Sequence, residues 1–314
     1  MLIYDDKLNK INDDKLSSQI DNTINDVVNY INRNTDNKYP ELLNKRKDNL
    51  ITQLVDEDYY LCHDDHIIRT PVKLTSGGLA GHAVTKKNGD KRIFVNGIYF
   101  KKSQRKILRR LLIVRENNID KHVLVHEIFH ALTFATESKE IDNNYYDKMG
   151  LTIMMYNKNG LVENRMLCAR GLTEGMTEWL TTNYLRDKPM NYHFQLEIAN
   201  ILAGGTDKSL LNALLSDSSL PFINYLIDLN NKNVSINAKD LIDIPSEGNI
   251  SAKDQYILLK GSMEYVLAKA KENNTYEEER NRLERHLVLD DNTSSSFYKA
   301  FKEAKTHQKV LNRH

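Results

Sequence analysis

A chain of 314 residues, 40% hydrophobic and 28% charged, with a formal net charge of +1, has the balance of an ordinary globular protein. That balance excludes a global electrostatic drive towards nucleic acid or a membrane surface, and no apolar run in the sequence approaches the ~20 residues that span a bilayer. Two cysteines, Cys62 and Cys168, do not suggest a disulfide framework.

The first residues, from Met1 to Lys7, are acidic and lack the apolar core of a signal peptide. The expectation is an intracellular protein, with signal-independent export compatible with the same sequence. Residues 5–60 read as helical and polar. Ile20, Ile24, Val27, Val28 and Ile31 recur at helical spacing, and Leu42, Leu43, Leu50, Ile51, Leu54 and Val55 suggest a second helix after Pro40. This region is either a separate helical subdomain or a cap packed on the rest of the chain.

Cys62-His63-Asp64-Asp65-His66 gathers ligand-type side chains, but its spacing matches no zinc signature, and a polar loop is the simpler reading. Strand signals run from Ile67 to Phe100, with Asn88-Gly89 as the hairpin turn between Leu79–Thr85 and Arg92–Phe100. Residues 101–115 carry seven basic side chains and no acid, with Ile107, Leu108, Leu111 and Leu112 at helical spacing. They read as an amphipathic helix with a solvated basic face, or alternatively as a surface for an anionic partner.

The segment Lys121–Leu132 contains His126-Glu127-x-x-His130 inside an apolar run. Residues four apart on a helix lie one above the other, so His126 and His130 project from one face with Glu127 beside them. Val123, Leu124, Val125, Ile128, Phe129, Ala131 and Leu132 leave no solvated face, which predicts a buried helix. Two imidazoles and a carboxylate there are costly to desolvate. A bound zinc ion resolves the cost, with two histidine ligands flanking a general base. The reading without metal is a buried helix whose histidines bond core carbonyls and whose Glu127 pairs with a lysine or arginine. His122, one turn earlier, reads as structural.

Leu151–Tyr156 and Leu161–Cys168, joined by Asn157-Lys158-Asn159-Gly160, suggest a second hairpin. A second helix then runs from Gly171 to about Leu185, with Glu174 and Glu178 on one face and Glu174 44 residues beyond His130. Here the sequence resembles the gluzincin metallopeptidases over roughly residues 90–186, through His-Glu-x-x-His followed by Glu174-Gly175-Met176-Thr177-Glu178. The resemblance implies Glu174 as third ligand of one Zn2+ per chain and Glu178 as partner of His126 or His130. The reverse assignment, with Glu178 as ligand, stays open. It further implies Glu127 as general base and peptide or protein substrates. The extended peptide would add to a sheet-edge strand at Ile93–Ile98, giving Asn96 and Gly97 as substrate contacts; an interior strand is the alternative. The oxyanion donor would come from Tyr145, Tyr146, Tyr156, Tyr184 or His193. Many gluzincins carry a signal peptide and propeptide, and neither is read at this N-terminus.

After Pro189 helical stripes return at Leu196, Ile198, Ala199 and Ile201, at Leu210, Leu211, Leu214 and Leu215, and at Leu259, Met263, Val266 and Leu267. Gly204-Gly205 and residues 230–253 supply breaks. The expected fold is α+β: a zincin-like catalytic core of a small mixed sheet and two active-site helices, with N-terminal helices and a helical C-terminal subdomain. The expected division is 1–60 as N-terminal helical region, 61–187 as catalytic core and 188–314 as C-terminal subdomain. The expected function is a zinc-dependent peptidase with no nucleic-acid partner and no membrane span. The alternatives are a non-catalytic binding or regulatory protein on a zincin scaffold, a zinc hydrolase of a non-peptide amide, or a host-targeting protease toxin.

Overall fold

The computed structural model describes residues 2–4, 14–48, 50–55, 59–62, 70–72, 78–85, 91–95, 108–115, 121–133, 139–141, 144–156, 162–190, 192–246, 250–289, 300 and 302–304. Side-chain surroundings are described for 18–48, 121–133, 148, 150–153, 167–190, 192–246, 250–285, 300 and 302–304. In chain order the elements are β1 (Leu2–Tyr4), α1 (Asp14–Asn34), α2 (Pro40–Asp48), β2 (Leu50–Val55), β3 (Tyr59–Cys62), β4 (Thr70–Val72), β5 (Gly78–Thr85), β6 (Lys91–Val95), β7 (Leu108–Arg115) and α3 (Lys121–Thr133). There follow β8 (Lys139–Ile141), β9 (Asn144–Met149), β10 (Thr152–Tyr156), β11 (Val162–Leu167), α4 (Arg170–Leu185), α5 (His193–Ala203), α6 (Ser209–Leu215), α7 (Leu220–Asn231), α8 (Ala238–Ile242), α9 (Ala252–Glu272) and α10 (Tyr276–Leu289).

The expected α+β fold with a small mixed sheet is corrected. Of the residues whose side chains are described, 74% are helical and 2% lie in strands, with no sheet among them. The part described to its side chains is therefore helical. Its residues are helical because α1, α3, α4 and the helices after Pro189 each bury apolar side chains at 3.6-residue spacing. Beyond those residues the strands are described as backbone pairings, in the order β2-β7-β5-β6-β1-β3-β4 and, separately, β11-β10-β9-β8.

Two helix expectations also fail locally. The helix begun at Pro40 stops at Asp48, and Leu50–Val55 is the strand β2. Three of its six residues, Ile51, Thr52 and Val55, are β-branched and favour a pleated backbone. The amphipathic helix expected in 101–115 is replaced over Leu108–Arg115 by β7, which β2 pairs in parallel from Leu50↔Arg110 to Val55↔Arg115. The unbroken run Leu111-Leu112-Ile113-Val114 has no helical polar face and suits a strand covered on both sides. Residues 101–107 lie outside the described residues. At the β9–β10 turn, Met149 pairs with Thr152, and Gly150 has φ 57°, the left-handed region glycine enters without steric cost.

The chain forms two compact units. The first comprises Met1–Met166 with Leu180–Asp187, the second Leu167–Trp179 with Lys188–His314, so α4 contributes turns to both. In the first, the apolar stripe Ile20, Ile24, Val27, Val28 and Ile31 of α1 is buried, as is most of α3. In the second, α5 packs on α9, α6 on α7 and α10 on α9. Gly261 of α9 is placed where a Cβ would fall 2.4 Å from Ile236 Cγ2, so the missing side chain lets Ile236 seat against the helix. Among the described residues no helix is long and apolar enough to cross a membrane.

Candidate metal centre

α3 forms because its residues are buried on nearly every side. Leu124, Val125, Ile128, Phe129, Ala131 and Leu132 are core residues, and His122, His126 and His130 are buried with them. Helical spacing brings His126 and His130 together: their rings lie edge to face with centroids 4.7 Å apart, and their Nε2 atoms are 3.0 Å apart. Each is 7% exposed. Glu127, the next residue round the helix, is half-buried.

α4 supplies the third donor. Its rotation about its own axis is fixed by two close approaches. A Cβ on Gly175 would lie 2.2 Å from the Gln195 carbonyl oxygen of α5, and one on Gly171 would lie 2.2 Å from the Ile244 carbonyl oxygen. With its glycine face held there, α4 presents Glu174 and Glu178 together on an adjacent stripe. Buried Thr173 and Thr177 satisfy their hydroxyls locally, on the carbonyls of Ala169 and Thr173. Glu174 is half-buried.

One ligand atom from each of His126, His130 and Glu174 lies within 4.8 Å of the others. These three residues form a set that could hold a metal ion. The donor geometry fits a tetrahedral centre: two nitrogens bound at 2.0–2.1 Å sit roughly 3.3 Å apart, close to the 3.0 Å between the two Nε2 atoms. Two nitrogens and one carboxylate oxygen suit a first-row divalent cation and leave one coordination position open. Ligand type, burial and convergence thus agree.

Glu178 is 1% exposed, and its Oε1 accepts a hydrogen bond from the Met190 backbone N–H at 3.0 Å. One oxygen of the carboxylate expected to support a ligand imidazole therefore anchors the chain beyond the end of α4. Of the candidate oxyanion donors, Tyr184 stacks edge-on against Tyr30 and Phe129. It stands ten residues beyond Glu174 on α4, roughly 15 Å along the axis at 1.5 Å per residue. Burial first, then Asp26, pushes the Tyr184 phenol pKa up, partly offset by Arg33. His193 opens α5 and is exposed. The side chains of Tyr145, Tyr146 and Tyr156 lie outside the described residues, as do Asn96 and Gly97, and residues 63–66 of the Cys62–His66 cluster. The strand leading to Asn96 is not a sheet edge, because β6 is paired with β5 on one side and β1 on the other.

The residue that the sequence pattern conceals is Arg46. It sits in Lys45-Arg46-Lys47, which reads as a solvated basic run, yet it is fully buried and donates from Nη1 to the Leu132 carbonyl of α3 at 2.8 Å. Composition carries no signal for this.

No protein-family model, no curated protein and no solved structure matches the chain. The convergence of the three donors is therefore what carries a functional reading.

Proposed function

We propose that this protein is a zinc-dependent peptidase of gluzincin type. The observation that carries the reading is the convergence of His126, His130 and Glu174 within 4.8 Å, with Glu127 adjacent to the first ligand. His126 and His130 would hold the ion through Nε2, and Glu174 through a carboxylate oxygen. When bound, zinc supplies a Lewis acid that polarises the scissile carbonyl and acidifies water in the open position. Glu127 takes the proton from the attacking water at a carboxylate oxygen and delivers it to the leaving amine nitrogen. Buried Glu178 is the proposed support for a ligand imidazole, a role that orients the ring and fixes its tautomer. The substrate class proposed is peptide or protein.

The test has two arms. Elemental analysis after dialysis should find about one zinc per wild-type chain, as a site with three protein ligands implies, and none in His126→Ala/His130→Ala. Glu127→Gln should keep its zinc and lose at least ~10²–10⁴-fold in peptide hydrolysis, the range a general base contributes. Absence of zinc from wild type supplied with it would remove the reading. Near wild-type turnover in Glu127→Gln would remove the mechanism.

A further inference from the structure

Two independent contacts tie the N-terminal helices to the helix that carries both histidines. The first is Arg46. The last four carbonyls of a helix lack intrahelical partners and carry the negative end of its dipole. Arg46 of α2, fully buried, donates Nη1 to the carbonyl of Leu132 at 2.8 Å, two residues beyond His130. A guanidinium at that end satisfies an orphan carbonyl and opposes fraying of the turn that holds His130. The second contact is aromatic. Tyr30 of α1 meets Phe129 of α3 with centroids 6.2 Å apart at 73° and Tyr184 of α4 at 5.4 Å and 74°, while Phe129 and Tyr184 meet at 6.2 Å and 80°. Three rings, mutually edge-on, lock α1, α3 and the C-terminal turns of α4. Phe129 is the residue immediately before His130 and is fully buried.

We propose that α1 and α2 form a positioning clamp for the metal centre, with Arg46 and the Tyr30–Phe129–Tyr184 ring cluster fixing the direction in which His130 presents Nε2. This inference rests on the metal-centre reading and adds to it: none of the four clamp residues supplies a ligand atom, so they act through α3. Their loss should lower metal affinity in a protein that remains folded, because an imidazole freed to sample other directions must be reordered before each binding event.

The experiment uses the full chain and Co2+ as probe. Affinity is measured by chelator competition, coordination by the visible absorption of bound Co2+, and folding by circular dichroism and thermal melting of the metal-free protein. The variants are Arg46→Met, Arg46→Lys and Phe129→Leu, with Leu229→Ala in α7 as a control for lost core packing, since Leu229 is equally buried. Expected for Arg46→Met is a loss of about 10–100-fold in Co2+ affinity, the range for groups that orient ligands, with a weakened four-coordinate band. Arg46→Lys, which keeps one donor, should recover part of it, and Phe129→Leu should fall between Arg46→Met and wild type. Leu229→Ala should melt earlier and bind Co2+ as wild type does. If Arg46→Met fails to fold, Arg46→Lys and Phe129→Leu decide the question. Wild-type affinity and spectrum in every folded clamp variant would overturn the inference while leaving the metal centre standing. No Co2+ uptake by wild type would overturn both.

Discussion

α3 and α9 both bury ionisable side chains, and they meet the cost differently. In α9, Glu264 is 0% exposed, but its Oε2 accepts the Ser235 N–H at 2.6 Å and Lys260 Nζ lies 3.7 Å from its Oε1. The carboxylate is a tether: it holds the chain before α8 against α9, next to the place where Gly261 admits Ile236. In α3 the nitrogens of His126 and His130 face one another across 3.0 Å, and a carboxylate from α4 closes on the same point. A buried polar group bonded to backbone reads as architecture. The two imidazoles can share one proton across that 3.0 Å, whereas a cation at the common centre would take all three donors at once, which is why the convergence reads as a binding site.

The largest difference is expected at the two glutamates of α4. If Glu174 belongs to the converging kind and Glu178 to the supporting kind, Glu174→Ala should remove a ligand and lower zinc affinity well beyond the range set by an orienting group. Glu178→Ala should cost about 10–100-fold, which is that range. Chelator competition on both variants checks the ranking. The opposite order would exchange their roles, making the Met190 N–H bond incidental to a true ligand.

The spacing of His126, Glu127 and His130 is legible in the sequence, because four residues on a helix fix a geometry without help from the rest of the chain. Glu174 needs more: helical spacing puts it on a face with Glu178, and only the resemblance to gluzincins ranks the two. The clamp is hidden. Arg46 lies between two lysines, and nothing in Lys-Arg-Lys distinguishes the one side chain that the C-terminal end of α3 takes into the interior. Leu50–Val55 and Leu108–Val114 read as helical because short aliphatic runs fit either period, and their backbone pairing partners, absent from local sequence, decide for strand. The fold class fails for a related reason. The strand signals in the middle of the chain suggest a sheet at the centre of the fold, whereas the residues described to their side chains are overwhelmingly helical.

Loss of the Glu264 tether should have a smaller effect. Glu264→Leu removes the acceptor of the part-buried Ser235 N–H bond, a loss on the order of 1 kcal/mol. At about 2–4 °C per kcal/mol for a domain of this size, the melting temperature of the metal-free protein should fall measurably, with zinc affinity unchanged. A drop in zinc affinity as large as that of Glu174→Ala would erase the distinction between tether and ligand.

The smallest effect is a pH dependence at Glu279 of α10. Burial alone pushes its carboxyl pKa up, but the Thr206 N–H at 2.5 Å and the Arg282 Nε at 2.7 Å outweigh it and hold the group below the ordinary glutamate value. Arg282 also donates to the Asn200 and Ile201 carbonyls near the end of α5, so the pair staples α10 to that terminus. A carboxyl whose pKa is lower in the folded than in the unfolded chain adds stability above its unfolded value and loses it as pH falls through the folded one. The share is on the order of 1 kcal/mol for one charge-assisted hydrogen-bonded group. Denaturant midpoints of metal-free wild type should therefore fall between about pH 5 and the acid side of the glutamate range. Glu279→Gln should start lower at neutral pH and fall less steeply. Metal-free protein is required, because metal binding is itself pH-dependent and would add its own acid loss. Parallel curves for the two proteins would mean that the staple works through Arg282 and the α5 carbonyls alone, with the Glu279 charge contributing nothing to the fold.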